Sequence, residues 1–170
     1  MLKLKSLLIA CTFVAATATT VAAQTAAPAA PPVVPYGAPI TLEAAKKVMA
    51  AAEAEAVKNG WPMAIAIFDS TGHMAMLHKL DNTQYGSVDV AQDKGISAIN
   101  YRRSTKVFED LVAGGGIGLR SLKLRGASPV EGGLPIVVDG KIVGSIGVSG
   151  GSAPQDGQVA KAGADAAAAK

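Results

Sequence analysis

Thiols are all but missing. The 170-residue chain has one cysteine, Cys11, and it lies in an N-terminal stretch that reads as removable. Without it there is no disulfide, no thiolate zinc or iron–sulfur site, no cysteine nucleophile and no covalent haem through Cys-x-x-Cys-His. Seven aromatic residues, one Trp, three Tyr and three Phe, are too few to form stacking platforms for nucleic acid. Neither charge sign dominates: 16 basic and 13 acidic side chains give a formal net charge of +3. Lys3 and Lys5 fall in the removable stretch, which leaves 14 against 13. So even a balance gives no general attraction for nucleic acid or an anionic membrane. Histidine occurs at 73 and 78 alone, so at most two imidazole ligands exist.

What the chain has in abundance is alanine, 33 residues, and glycine, 19. Its length suits one domain with a sizeable core. Residues 1–23 read as a secretory signal peptide: Lys3 and Lys5, an apolar run from Leu7 to Ala16, and Val21-Ala22-Ala23 before Gln24. The strongly apolar part is about ten residues, short of the ~20 a spanning helix needs. The expected location is therefore periplasmic or secreted, after cleavage behind Ala23, with no stable membrane insertion afterwards. Residues 24–39 (QTAAPAAPPVVPYGAP) hold five prolines and predict an extended tether. The folded domain is expected over 40–170.

Within it, Thr41 to Lys58 predicts a helix capped by Thr41, with Leu42, Ala45, Val48, Met49, Ala52 and Ala56 on one apolar face. Met63 to Phe68 and His73 to Lys79, joined by Asp69-Ser70-Thr71-Gly72, predict a hairpin. Ser87 to Asn100 predicts a helix capped by Ser87 and weakened by Gly95. Ser104 to Ala113 predicts a third, with Phe108 and Leu111 inward, and Gly114 to Gly118 a loop. Leu134 to Val138 and Lys141 to Val148 around Asp139-Gly140 give the clearest hairpin signal. Ser152-x-x-Gln155, with Pro154 in the first turn, opens an Ala-rich last helix. The order α-ββ-αα-ββ-α predicts an α+β fold, an antiparallel sheet with packed helices in a profilin-like layering.

Common catalytic patterns fail on context. Gly114-Gly115-Gly116-Ile117-Gly118 lacks the Gly-Lys-Ser/Thr ending of a phosphate loop. Gly147-x-Ser149-x-Gly151 matches a nucleophile elbow formally, but it ends an antiparallel hairpin and no histidine follows. The carboxylate pairs Glu53/Glu55 and Glu109/Asp110 read as surface. Gly144 and Gly147, inside a strand, predict close approach by a helix, a subunit or a flat ligand.

Three segments carry a family resemblance. Gly132-Gly133-Leu134-Pro135-Ile136, then Asp139-Gly140 through Gly144, Gly147 and Ser149-Gly150-Gly151, then Asp156, is similar to the C-terminal signature of the GlcG/HbpS haem-binding family. Phe68-Asp69-Ser70-Thr71-Gly72-His73 resembles that family's first hairpin, with Lys79-Leu80-Asp81 in place of Arg-Met-Asp. Lys94-Gly95-Ile96-Ser97-Ala98 resembles its Lys-Ala-x-Thr-Ala helix. The resemblance implies a compact α/β sandwich, a homo-oligomer, and haem or another small anionic ligand as partner.

On that resemblance, His73 and His78 are the candidate iron ligands. Met74, Met76 and His78 would share one strand face as an apolar pocket with an axial imidazole. Five residues apart on a regular strand, the two histidines would face opposite ways. Lys94, Arg102 and Arg103 belong to a local basic excess running to Arg125, suited to haem propionates. Thr105 adds a hydroxyl and helix N-terminal amides. The expected function is an exported haem or tetrapyrrole binder, carrier or sensor accessory. The alternatives are a haem-degrading or peroxide-active iron enzyme, and an oligomer that binds a small organic acid without metal.

Overall fold

The computed structural model describes residues 33–168. The expected signal peptide lies outside these residues. In chain order the elements are α1 (Leu42–Lys58), β1 (Ala64–Asp69), β2 (Met74–Lys79), α2 (Gly86–Tyr101), α3 (Lys106–Ala113), a 3-10 segment (Gly116–Lys123), β3 (Gly133–Val138), β4 (Lys141–Ser149) and α4 (Ala153–Ala166). This is the expected α+β order with one 3-10 segment added.

The strands form a single antiparallel sheet in the order β2-β1-β4-β3. Helices cover both faces, which is why β1 reads as an unbroken apolar run rather than an alternating one. Val48, Met49 and Ala52 of α1 and Val159 and Ala160 of α4 pack on Ile65, Ile67, Ile146 and Val148. On the other face Ala91 of α2 meets Ala64, Ala66 and Phe68. That second layer is thin because small residues line both sides of it. A Cβ on Gly147 of β4 would overlap the Ala91 carbonyl and the Gly95 amide of α2. Of the three occupants expected for this strand glycine, the structure supplies the helix.

Local signals set most element ends. The Ala44 amide donates to Thr41 Oγ1 at 3.2 Å, capping α1. The Ser152 amide donates to Gln155 Oε1 at 2.9 Å, half of the expected capping box of α4. Asp139 (φ 49°) and Gly140 (φ 71°) are both left-handed, as a type I′ hairpin turn requires. Gly140→Ala should therefore cost about 1 kcal/mol, the penalty for placing a Cβ in that region. A lower urea midpoint at unchanged slope would show it.

Four expectations need correction. Ser87 does not cap α2; Tyr85 holds that position without a side-chain bond. Ser87 sits in the first turn, buried, where Gln84 Nε2 donates to its hydroxyl at 2.9 Å. Leu42 and Leu111, expected inward, are 57% and 44% exposed, because α1 buries a stripe of Ala45, Val48, Met49, Ala52 and Ala56, and α3 buries Phe108 against Tyr101. Finally, the proline-rich segment is not tether throughout. Ile142 donates to the Pro35 carbonyl at 2.9 Å, Gly37 to Ile142 at 2.8 Å and Ile40 to Val143 at 2.8 Å. β1 ends opposite Gly144, so this segment satisfies the backbone groups at the start of β4 that β1 leaves free.

Candidate functional site

β2 is an edge strand, and it departs from regular geometry. Ile67 lies opposite Met76, but Phe68 lies opposite Met74, so Ala75 is bulged out of the pairing. Directly opposed residues share a face. Ile67 belongs to the layer under α1 and α4, and Phe68 to the layer under α2. Met76 and His78 thus face α1, while Met74 falls on the α2 side. The expected three-residue face of Met74, Met76 and His78 does not form, because the bulge shifts the alternation by one residue.

On the α1 side, His78 meets Glu53. Their Nδ1 and Oε1 atoms are 2.6 Å apart, with the side chains 44% and 31% exposed. An ionised carboxylate can only accept, so the ring donates from Nδ1, and in its neutral form the lone pair lies on Nε2. Val57 lies one turn further along α1, and Leu80 two residues beyond His78 on the same face. These two, with Trp61, Pro62 and Asp81, line a groove of about 430 Å³. The site is thus an imidazole held from behind by Glu53, two residues along the chain from Leu80 in the wall of a groove that Gly60, Asp81 and Asn82 make partly polar.

His73 occupies a different end of the molecule. Asp69 Oδ1 accepts from the Thr71 amide (2.8 Å), the Thr71 hydroxyl (2.6 Å) and the His73 amide (3.0 Å). Burial would raise this carboxyl, but those bonds hold it below the ordinary aspartate range. The Thr71 hydroxyl, having donated to Asp69, accepts from His73 Nδ1 at 2.7 Å. In the neutral ring the lone pair of His73 therefore also lies on Nε2. The adjacent Gly72 abuts the C-terminal end of α2, since a Cβ on it would lie 3.9 Å from Ile99 and from Asn100. Arg102, left-handed at φ 52°, follows there and lies over the Tyr36 ring, 5.3 Å from its centroid.

The remaining expected site residues are differently employed. Lys94 is 1% exposed, bonded to Asp156 Oδ2 at 2.7 Å and to the Val148 carbonyl at 3.1 Å. Gly151 donates to the other Asp156 oxygen at 2.9 Å. Lys94 forms an enclosed ion pair under the glycine-rich signature. Thr105 is fully buried, with its hydroxyl accepting from the Gly133 amide at 2.9 Å; it ties α3 to β3. Arg103 donates to the Tyr101 carbonyl at 3.1 Å and lies 5.7 Å from the Phe108 ring centroid. The residues expected to act together therefore divide among the α1 side of β2 (Met76, His78), the β1–β2 turn (His73), the exposed end of α2 (Arg102, Arg103) and the interior (Lys94, Thr105).

Residues 40–165 match the family model described as haem degrading protein HbpS-like. The chain belongs to this family. Protein GlcG of Escherichia coli K12 is 38% identical over 110 residues, which are 65% of this chain and 81% of GlcG. The crystal structure of a double mutant of Streptomyces reticuli HbpS superposes with a TM-score of 0.68 at 31% identity, covering 81% of this chain and 97% of that one. The crystal structure of a PduOC:haem complex also gives 0.68, at 25% identity, covering 75% of this chain and 94% of that one.

In this HbpS-like chain the residue that sequence reasoning missed is Glu53. Read along the helix it is one of several surface acids, and nothing in the spacing ties it to a histidine 25 positions later. The pairing exists because α1 packs back across the hairpin that follows it. Among the described residues, no group of three or more His, Asp or Glu side chains is disposed to hold a metal ion. No described helix is long and apolar enough to cross a membrane.

Proposed function

We propose that this HbpS-like protein binds haem or a related tetrapyrrole at the α1–β2 groove, where His78 Nε2 would hold its iron. The carrying observation is the His78 imidazole, held through Nδ1 by Glu53 on the side of the sheet where Leu80, with Val57, Trp61 and Pro62, lines a groove. The donor set fits this group. A bare ion would need several side chains that are not gathered there, whereas a tetrapyrrole brings four nitrogens of its own and needs one or two from the protein. When bound, haem would supply a redox-active iron. The chain's own residues hold the imidazole, offer apolar surface to the ring and keep Met76 on the same side of the sheet. The haem complex of PduOC and the family's description support this reading.

The role is that of an exported binder, carrier or sensor accessory. Lys3, Lys5, the apolar run after them and Val21-Ala22-Ala23 support export, with cleavage after Ala23. Val107, Leu111, Ile117, Leu119 and Leu122, exposed along α3 and the 3-10 segment, support a homo-oligomer; a monomeric mass by light scattering would contradict it. His73 with Arg102 is the second place for an anionic ligand.

Haemin titration followed at the Soret band tests the site. A saturable band should appear with the wild type and with His73→Ala and be lost with His78→Ala. Loss in His73→Ala alone would move the ligand to the β1–β2 turn. No saturable band in the wild type would sink the haem reading and favour a small organic acid bound through the arginines. Consumption of bound haem with a reductant or peroxide would mark the protein as an enzyme instead.

A further inference from the structure

The two histidines are held by unlike partners. His73 leans on a neutral hydroxyl, Thr71 Oγ1. His78 leans on a carboxylate at 2.6 Å, the short distance of a charge-assisted bond. Glu53 is more than two-thirds buried, so water screens the pair less than it would an open surface contact. It also stands on α1, whose neighbouring positions Met49, Ala52 and Ala56 are locked in the core. Glu55, two residues on, points elsewhere and is shared among Lys58, Asn59 and Gln158. Among the described residues, Glu53 makes one side-chain bond, and it goes to His78.

We propose that Glu53 is a positioning residue for His78. It fixes the Nδ1–H tautomer, leaves the Nε2 lone pair of the neutral ring available to a ligated iron and raises the electron density at that nitrogen, so both affinity for iron and the potential of bound iron depend on it. This rests on the reading of His78 as the ligand. The physical basis is general: the bond at one ring nitrogen decides whether the other carries a proton or a lone pair. A carboxylate behind a ligating imidazole raises its basicity and removes its rotational freedom. Without Glu53 the exposed ring is free to place its proton on Nε2, the atom that must be bare to ligate. It would then also lose orientation, because the edge strand gives the ring no other hydrogen-bond partner among the described residues.

The first measurement needs no haem. Long-range 1H–15N correlation of the histidine rings, at a pH where both are neutral, should show His78 as Nδ1–H in the wild type. Glu53→Ala should convert it largely to Nε2–H. Glu53→Gln, whose amide oxygen can still accept, should restore part of the Nδ1–H form, and His73 should stay unchanged in both. Alanine keeps the helix propensity of α1, so the variants fold, and unchanged α1 amide shifts would confirm it. Haemin affinity should fall about 10–100-fold in Glu53→Ala and recover partly in Glu53→Gln. The midpoint potential of bound iron should rise as the anionic partner is lost. An unaltered His78 ring in Glu53→Ala overturns the role of Glu53, whatever haemin does. Wild-type haemin binding by His78→Ala overturns the ligand assignment, even where the ring tautomer responds to Glu53 as expected.

Discussion

Lys94→Met should destabilise the domain by about 3–5 kcal/mol, the usual cost of removing one partner from a buried ion pair. The ammonium and the Asp156 carboxylate are both almost fully enclosed, 2.7 Å apart. Methionine fills similar volume, so packing is largely kept and the loss is electrostatic. Burial pushes the Asp156 carboxyl above the ordinary aspartate range, against the pull of Lys94 and of the Gly151 and Gly150 amides. Without Lys94 that upward push is less opposed. A carboxyl with a folded pKa above its unfolded one binds more protons when folded, so stability falls as pH rises between the two values. The Lys94→Met variant should thus be least stable near neutral pH and regain stability on acidification toward the unfolded aspartate range. Urea midpoints measured across pH would show this. A variant whose deficit is constant with pH would mean that Asp156 stays ionised without its partner. Lys94→Met with Asp156→Leu should cost less than Lys94→Met alone, because it leaves no orphaned charge.

Gly147→Ala should cost about 3 kcal/mol, the upper part of the range for overpacking a well-filled interior. The added Cβ would meet the Ala91 carbonyl and the Gly95 backbone. Neither can rotate away as a side-chain tip would, so α2 must lift from the sheet. α2 carries Lys94, and its displacement strains the ion pair with Asp156 as well. The two variants share this neighbourhood, so their effects should not add, and a double-mutant cycle would measure the coupling. By contrast, the Cβ of an alanine at Gly140 would meet nothing within 4 Å, and its smaller cost is purely conformational.

Much of the fold is legible in the sequence because its signals are local. Thr41 caps α1 with an oxygen three residues from the amide it serves, and Asp139-Gly140 makes its turn from two backbone angles. The glycine-rich signature and the Lys94 segment place the chain in the HbpS-like family. Gly147 announces a close approach, although the approaching element is not written in its neighbours. The site was far less legible. His73 and His78 were visible as residue types, but Glu53 was one acid among several, and the basic residues looked like one cluster.

By itself the sequence determined which segments become the α-helices and strands, most of their ends, and which chemistry is absent for want of thiols, aromatics and histidines. These follow from neighbours within a few residues, where capping, turn geometry and periodicity act. Only the tertiary structure decided that Ala75 bulges and parts Met74 from Met76, that Lys94 is spent on Asp156, and that Glu53 stands behind His78. Each of those outcomes depends on two elements meeting across 25 to 62 residues of chain or on opposite strands. Such meetings are fixed by how helices seat on the sheet, which no single stretch of sequence encodes.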